Sequence, residues 1–389
     1  MLLEPFSSDP PSVVVVGAGA AGITSAYHLH RAGASITVLE ASSRIGGRLK
    51  KDTSLTDFPL DLGGQWIGFD PSSTLNGLLG TVKMSPGVQD TLLHEVLPAL
   101  RVDADKNVHL CEDSKPIGHK WVNSTWYDFF HRNMVVRLRD KIICNSVVDT
   151  IETSKRQVRI LCGDKVYIAD HVIVTVNMKA LQEDRIRFVP SLPDKYNSAL
   201  PKFHMEPALK VFLKFSYKFY PRSFYFDSND EVGDESLYYF DDSFGEETRS
   251  NILGFFGFGR PVKRYLELCK QGEDLLIDTM LNELDEIFEN LATPNYQGHV
   301  LQDWSQERFC HTGYANQIDD TKATISLFQT PIDNKLYFAG DSLPRDLQYW
   351  GYANVAADSG LLAAQRIHKL YQQRRRSPVL APVSKNRLK

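Results

Sequence analysis

Four consecutive valines, Val13 to Val16, stop abruptly at Gly17-Ala18-Gly19-Ala20-Ala21-Gly22, and no other feature restricts the fold as strongly. An unbroken β-branched run this short predicts a strand buried on both faces. Ile23, Ala26, Tyr27 and Leu29 then recur at helical spacing among small residues, Gly33 supplies a stop, and Ser35 to Leu39 reads as a second strand. The glycines therefore sit at a strand-to-helix junction inside a βαβ unit. Gly17 permits the tight turn, Gly19 lets backbone approach a pyrophosphate, and Gly22 lets helix and strand pack closely. The helix start around Ala20 and Ala21 offers unpaired N–H groups and a partial positive charge. Glu40, 18 residues past Gly22, can accept hydrogen bonds from ribose hydroxyls and disfavours a 2′-phosphate. A dinucleotide is implied, but this unit alone does not separate NAD from FAD.

The following residues separate them. Arg44-Ile45-Gly46-Gly47-Arg48 and Asp61-Leu62-Gly63-Gly64-Gln65-Trp66-Ile67-Gly68 resemble the extended signature of the flavin-containing amine oxidases, the superfamily of polyamine oxidases, monoamine oxidases and lysine-specific histone demethylases. Arg48 can neutralise a pyrophosphate, and the glycine pairs let backbone amides reach a flavin ring. Without its neighbours, Gly63-Gly64 has a plain β-turn as its alternative reading. Leu336 to Asp341 and Trp350 to Gly360 resemble the same family's C-terminal flavin motif. The resemblance implies FAD as cofactor. It puts Gly340 and Asp341 at the ribityl chain, with Asp341 where Glu is usual, and the amides of Ala353 and Asn354 at the flavin pyrimidine oxygen. Val148 matches the valine whose backbone clasps the adenine. Ala41, Arg44, Gly47, Gly64, Gln65, Trp66, Trp304 and Tyr352 complete the implied cofactor set. No second G-x-G-x-x-G follows a strand, and Gly254, Gly257 and Gly259 have the wrong order, so oxygen or a protein acceptor, rather than NADPH, is the expected redox partner.

The catalytic candidates also come from the resemblance. Pro207 to Phe215 is similar to the strand carrying the family's active-site lysine, which implies that Lys210 holds a water against flavin N5 and assists reoxidation. By pattern alone Lys210, like Lys214, reads as a solvent-facing strand lysine. Tyr314 and Tyr352 match two aromatics that sandwich an amine nitrogen, and Gly313 stands where monoamine oxidases carry the cysteine that bonds to flavin, so the FAD is expected to be non-covalent. The implied reaction removes a hydride equivalent from a carbon next to nitrogen, gives an imine that water hydrolyses, and ends in hydrogen peroxide. Gln65 and Trp66 occupy the region where L-amino-acid oxidases bring a carboxylate-binding arginine, which argues against an amino acid substrate. Asn177, Asn354 and Val355 depart from the pattern, replacing a usual proline, Glu or His, and glycine. Two alternatives stay open: a desaturase or isomerase of a fatty acid, terpenoid or tetrapyrrole on the same fold, and a flavin-bound scaffold with little turnover.

The expected fold is α/β with an α+β substrate lobe. A Rossmann-like FAD-binding domain at 1–68, 142–200 and 310–372 is interleaved with a substrate-binding domain at 69–141 and 201–309, built on a mixed β-sheet and helices. Strand signals over Val147 to Ile151, Gln157 to Cys162, Val166 to Ile168 and His171 to Val176 read as a meander returning to the first sheet. Val211, Leu213 and Phe215 alternate as in a half-exposed strand, Glu267 to Leu291 reads as a surface helix, and Val355 to Leu370 as a final helix. The gap from Phe69 to about Lys141 is short for the family and suggests a trimmed lid. At 389 residues and a net charge of −4, the chain lacks a global basic field for nucleic acid. The exception is a basic tail at 373–389, expected to be disordered. Five scattered cysteines without a C-x-x-C indicate neither a disulfide framework nor a metal site. With no basic leader or long apolar run, a cytoplasmic protein acting on a small molecule is expected, and no membrane span.

Overall fold

The computed structural model describes residues 3–6, 9–67, 92–94, 100–103, 105–110, 119–226, 237–347 and 349–376. The valine run forms strand β1 (Ser12–Val16), and helix α1 (Ala20–Arg31) begins within the glycine motif. Gly33 follows its end at φ +96°, a conformation that costs a glycine little. Strand β2 (Ser35–Leu39) pairs parallel with β1. On the other side of β1 lie His171–Val174 and then Leu336–Phe338, while Ile142–Ile143 flanks β2, giving a five-stranded parallel sheet. The burial of β1 on both faces follows from this central place. Val13 and Val15 face a core shared with α1 and the C-terminal helix (Ala353–Arg376), whereas Val14 and Val16 face a second core with Val148, Ile151 and Ile160.

The expected meander divides. Thr150–Glu152, Val158–Cys162 and Lys165–Ala169 form, with Arg187–Val189, a separate four-stranded sheet, and only His171–Val174 returns to the first. Asp170 marks the division, because its carboxylate accepts from both the backbone N–H (2.9 Å) and the hydroxyl (2.7 Å) of Ser12 at the start of β1.

A mixed seven-stranded sheet builds the other layer. Its strands run in the order Tyr296–Asp303, Ala208–Phe215, Asn251–Phe258, Leu237–Asp241, Ser223–Phe226, Leu100–Val102 and Val108–Leu110. Ala208–Phe215 is not half-exposed as its alternation suggested. Leu209, Val211, Leu213 and Phe215 pack on helices Lys263–Gln271 and Glu273–Ile287, and the opposite face, with Phe212 and Phe240, is roofed by Phe58, Leu60 and Leu62. That covering layer comes from a segment remote in sequence and leaves no local trace. Gly272 splits the single helix expected over Glu267 to Leu291 into those two.

The C-terminal helix runs on to Arg376, past the expected end at Leu370, so residues 373–376 of the basic tail are helical. Gly68, residues 69–91, 95–99, 104 and 111–118 of the gap from Phe69 to about Lys141, and the tail at 377–389 lie outside the described residues. Among the described residues, no helix is long and apolar enough to cross a membrane, and no group of three or more His, Cys, Asp or Glu is placed to hold a metal.

The C-terminal helix meets α1 at a glycine contact, where a Cβ on Gly360 would stand 2.1 Å from the backbone oxygen of Ala21. Backbone cannot yield as a flexible side chain does, so Gly360→Ala must separate the two helices and should cost about 1–3 kcal/mol, read as a lowered thermal midpoint with reduced flavin retention.

Candidate active site

Between the two sheets lies a cavity of about 970 Å³, near the top of the roughly 300–1,000 Å³ range of single-ligand pockets. Gly17, Gly19, Ala20, Ala21, Glu40, Ala41, Arg44, Gly47, Arg48, Gly64, Gln65, Trp66, Val148, Lys210, Trp304, Tyr314, Gly340, Asp341, Tyr352 and Ala353 all line it. Two residues of the expected set do not. Gly22 sits behind the wall, where a Cβ would stand 1.9 Å from the Gly17 oxygen, so its role is helix–strand packing. Asn354 is buried off the wall, and its Oδ1 has no hydrogen-bond partner.

The N-terminal end of the cavity is made of backbone. A Cβ on Gly19 would meet nothing closer than the Gly46 oxygen at 3.8 Å, which leaves the approach to the α1 N-terminus open. Gly46 donates its N–H to the Ala18 oxygen (2.8 Å), laying the Arg44–Arg48 loop against the glycine motif. Arg44 holds that loop in shape by donating to the oxygens of Gly47 (2.8 Å), Leu49 (3.2 Å) and Ile45 (3.3 Å). Glu40 accepts from the N–H groups of Ala18 (2.7 Å) and Ser42 (2.9 Å), which fixes its carboxylate at the end of β2.

Arg48 does something the sequence did not reveal. Its guanidinium forms a two-pronged pair with Asp341, 2.8 Å on one prong, and also donates to the Gly313 oxygen. Burial works against the Arg48 charge, but the Asp341 carboxylate outweighs it and the pKa lies above its ordinary value. Gly313 has no space for a side chain, because a Cβ would stand 2.6 Å from that of Ala208. Cys310 also reaches the cavity, and burial pushes its thiol up to about 11, which leaves it protonated and unreactive. Asn177 accepts from the Ala180 N–H and donates to the Cys310 oxygen, both at 2.9 Å. That is the use this chain makes of an amide in place of proline.

Lys210 is buried in the cavity wall rather than solvent-facing as its pattern suggested. Its amine donates to the oxygens of Asp61 (2.5 Å) and Gly63 (3.1 Å) and to Oε1 of Gln65 (2.7 Å). Burial pulls the Lys210 pKa down to about 8, with Asp61 and Asp242 resisting and Lys120 assisting. Around it runs an aromatic wall: Phe256 lies opposite Lys210 on the neighbouring strand, and Tyr314 stacks on Phe258 with centroids 4.0 Å apart and planes 3° from parallel. Gly351 lets that tyrosine in, since a Cβ there would stand 2.8 Å from its ring. Tyr352 is partly exposed at the same wall. Trp304 is buried with its indole N–H on the Leu62 oxygen (2.9 Å). Sequence reasoning missed Phe256, Phe258, Asp242 and Lys120; the Phe255-Phe256-Gly257-Phe258 alternation was the available signal for the first two, and nothing local marked the others.

The family model described as "Flavin containing amine oxidoreductase" matches residues 108–368, and that of an NAD(P)-binding Rossmann-like domain matches residues 15–80. The chain belongs to the flavin-containing amine oxidoreductase family. It is 22% identical to polyamine oxidase 3 of Oryza sativa subsp. japonica, over 92% of this chain and 89% of that one. It shares its fold with cyclohexylamine oxidase from Brevibacterium oxydans IH-35A (TM-score 0.75, 19% identity, 94% of this chain and 100% of that chain). It likewise shares its fold with putrescine oxidase bound to putrescine (TM-score 0.73, 15% identity, 92% and 98%). The protein is thus a flavin-dependent oxidoreductase with FAD as its cofactor. The open cradle at Gly19, the helix N-terminus behind it and the acid at the end of β2 suit a dinucleotide of that kind.

Removing Arg48 would leave Asp341 unpaired in the wall. Arg48→Ala should lower stability by about 3 kcal/mol and reduce the flavin-to-protein absorbance ratio of the purified protein, whereas a surface substitution such as Arg156→Ala should leave both unchanged.

Proposed function

We propose that this enzyme oxidises the carbon–nitrogen bond of a small amine to an imine, which water then hydrolyses. FAD supplies the acceptor for the hydride leaving the carbon next to nitrogen and passes the electrons to oxygen, which leaves as hydrogen peroxide. The observation that carries this reading is the joining, in one stretch of wall, of the buried Lys210 amine with Trp66, Phe256, Tyr314 and Tyr352. Aromatic faces receive an amine as a cation by cation–π attraction and as a neutral molecule by apolar contact, and they exclude water from the carbon that reacts. Lys210 places a buried amine, engaged by its own acceptors, beside the same stretch. Arg48 and Asp341, Glu40 and the α1 N-terminus are the groups we assign to orienting the cofactor.

The wall favours a compact monoamine over a polyamine. A carboxylate is the strongest receptor for a polyamine's far cation, and the acidic side chains among the described lining residues are otherwise engaged. Glu40 is held by two N–H groups, Asp341 by Arg48, and Glu307 lies 4.0 Å from both Arg44 and Lys50.

Anaerobic mixing decides the matter. Cyclohexylamine or benzylamine should bleach the flavin absorbance faster than spermine by about tenfold or more; no bleaching by any amine of the panel would remove the proposal, and faster bleaching by spermine would restore the polyamine reading. The crowding at Gly313 and the protonated Cys310 favour a non-covalent FAD, so acid precipitation should leave all the flavin in the supernatant. Yellow colour retained in the pellet would overturn that assignment.

A further inference from the structure

The best-connected polar feature is a buried chain that runs inward from the cavity wall at Lys210 and Gln65. Lys210 donates to Oε1 of Gln65, the Gln65 amide nitrogen donates to a carboxylate oxygen of Asp242, and Lys120 donates to the Asp242 backbone oxygen (2.6 Å) and to Oε1 of Glu246 (3.2 Å). Lys210, Gln65, Asp242 and Lys120 are each less than a tenth exposed. The carboxamide between them has only one workable orientation. An ammonium offers donors and no acceptor, a carboxylate offers acceptors and no donor, so the Gln65 oxygen must face Lys210 and its nitrogen Asp242. Lys210 and Asp242 thus form an ion pair with a neutral amide inserted.

We propose that Asp242 is a positioning residue that acts on Lys210 through Gln65, holding its amine charged and its donors turned onto the 61–65 segment that floors the cavity. With all three N–H groups engaged by Asp61, Gly63 and Gln65, the charged amine is a fixed cation beneath the floor and keeps the Gly63-Gly64 backbone in place. A cation held there favours negative charge gathering in the cavity above it.

The other groups facing Lys210 do not replace Asp242. Of the two carboxyls that raise the Lys210 pKa, Asp61 is the larger influence, but burial pushes its own carboxyl well above the usual carboxylate range, and its Oδ1 has no hydrogen-bond partner. Asp128, which faces Asp61, is paired with Lys51 at 2.6 Å. On the flanking strands Lys210 lies opposite neutral Phe256 and Gln302, the latter bound by Lys50, and the rings of Phe212 and Phe240 lie 5.2 and 5.8 Å from the amine. Lys120 is the opposing cation, engaged by Asp242 and Glu246.

The sign of two substitutions tests this. In the FAD-loaded protein, a pH titration of the flavin absorbance should show a step near pH 8 that Lys210→Met abolishes. Asp242→Asn removes the stabilising charge and lets the Gln65 amide turn its N–H toward the lysine, so the step should move down by about one pH unit. Asp242→Glu should restore it. Lys120→Met removes a repelling charge, so the step should move up, and if Asp242→Asn does not fold, Gln65→Met, which cuts the bridge while keeping both charges, should move it down. Steps unmoved, or moved in the same direction in both variants, would overturn the role of Asp242. The proposal rests on Lys210 facing the flavin; a native protein without a Lys210-dependent step would overturn that placement and the proposal with it, an outcome distinct from a step that is present but unmoved.

Discussion

The pairing of Arg48 with Asp341 is the contact on which the cavity depends. It joins a loop just past β2 to the end of the Leu336–Phe338 strand, and through the Gly313 oxygen it adds a third segment from between the two sheets. Three pieces of chain far apart in sequence thereby converge on one guanidinium. A planar fork with five donors suits such a junction, and a lysine, a point charge on a flexible stem, would not hold the same geometry. Because the pair is partly buried, each charge needs the other, and the cavity wall and the stability of the fold are coupled there.

A second constraint is close backbone approach. Gly22 against the Gly17 oxygen and Gly360 against the Ala21 oxygen bring α1 against β1 and the C-terminal helix against α1, at distances no side chain permits. Both contacts lie just behind the wall that carries Gly19, Ala20 and Ala21, so the N-terminus of α1 points where it does because small residues let its two neighbours come so near. The cofactor end of the cavity is therefore shaped chiefly by backbone. The opposite end is shaped by side chains, with Lys210 and its acceptors below and aromatic rings around.

Much of the cofactor end was legible in the sequence, because strand, turn and helix are local and each glycine there answers a local demand. The charged floor was not. Lys210 reads as one of two lysines on an alternating strand, and only residues 55–65, folding across that face, bury it and give its amine acceptors. Lys214 on the same face likewise donates to the Leu55 oxygen at 3.0 Å. Asp242 and Lys120 lie in segments with no motif and meet through long-range packing. The pairing of Arg48 with Asp341 spans 293 residues, a separation across which sequence spacing carries no information.

The sequence by itself determined a dinucleotide site and the first parallel strand pair that presents it, since Val13 to Gly22 and Glu40 encode strand, turn, helix and acid within about one βαβ unit. Tertiary structure decided the rest. It stacked Phe258 on Tyr314, tied the lining acids to nearby donors, and set a buried lysine against an aspartate through one glutamine. The physical reason is that backbone geometry is fixed by near neighbours, whereas burial and charge depend on everything the fold brings alongside.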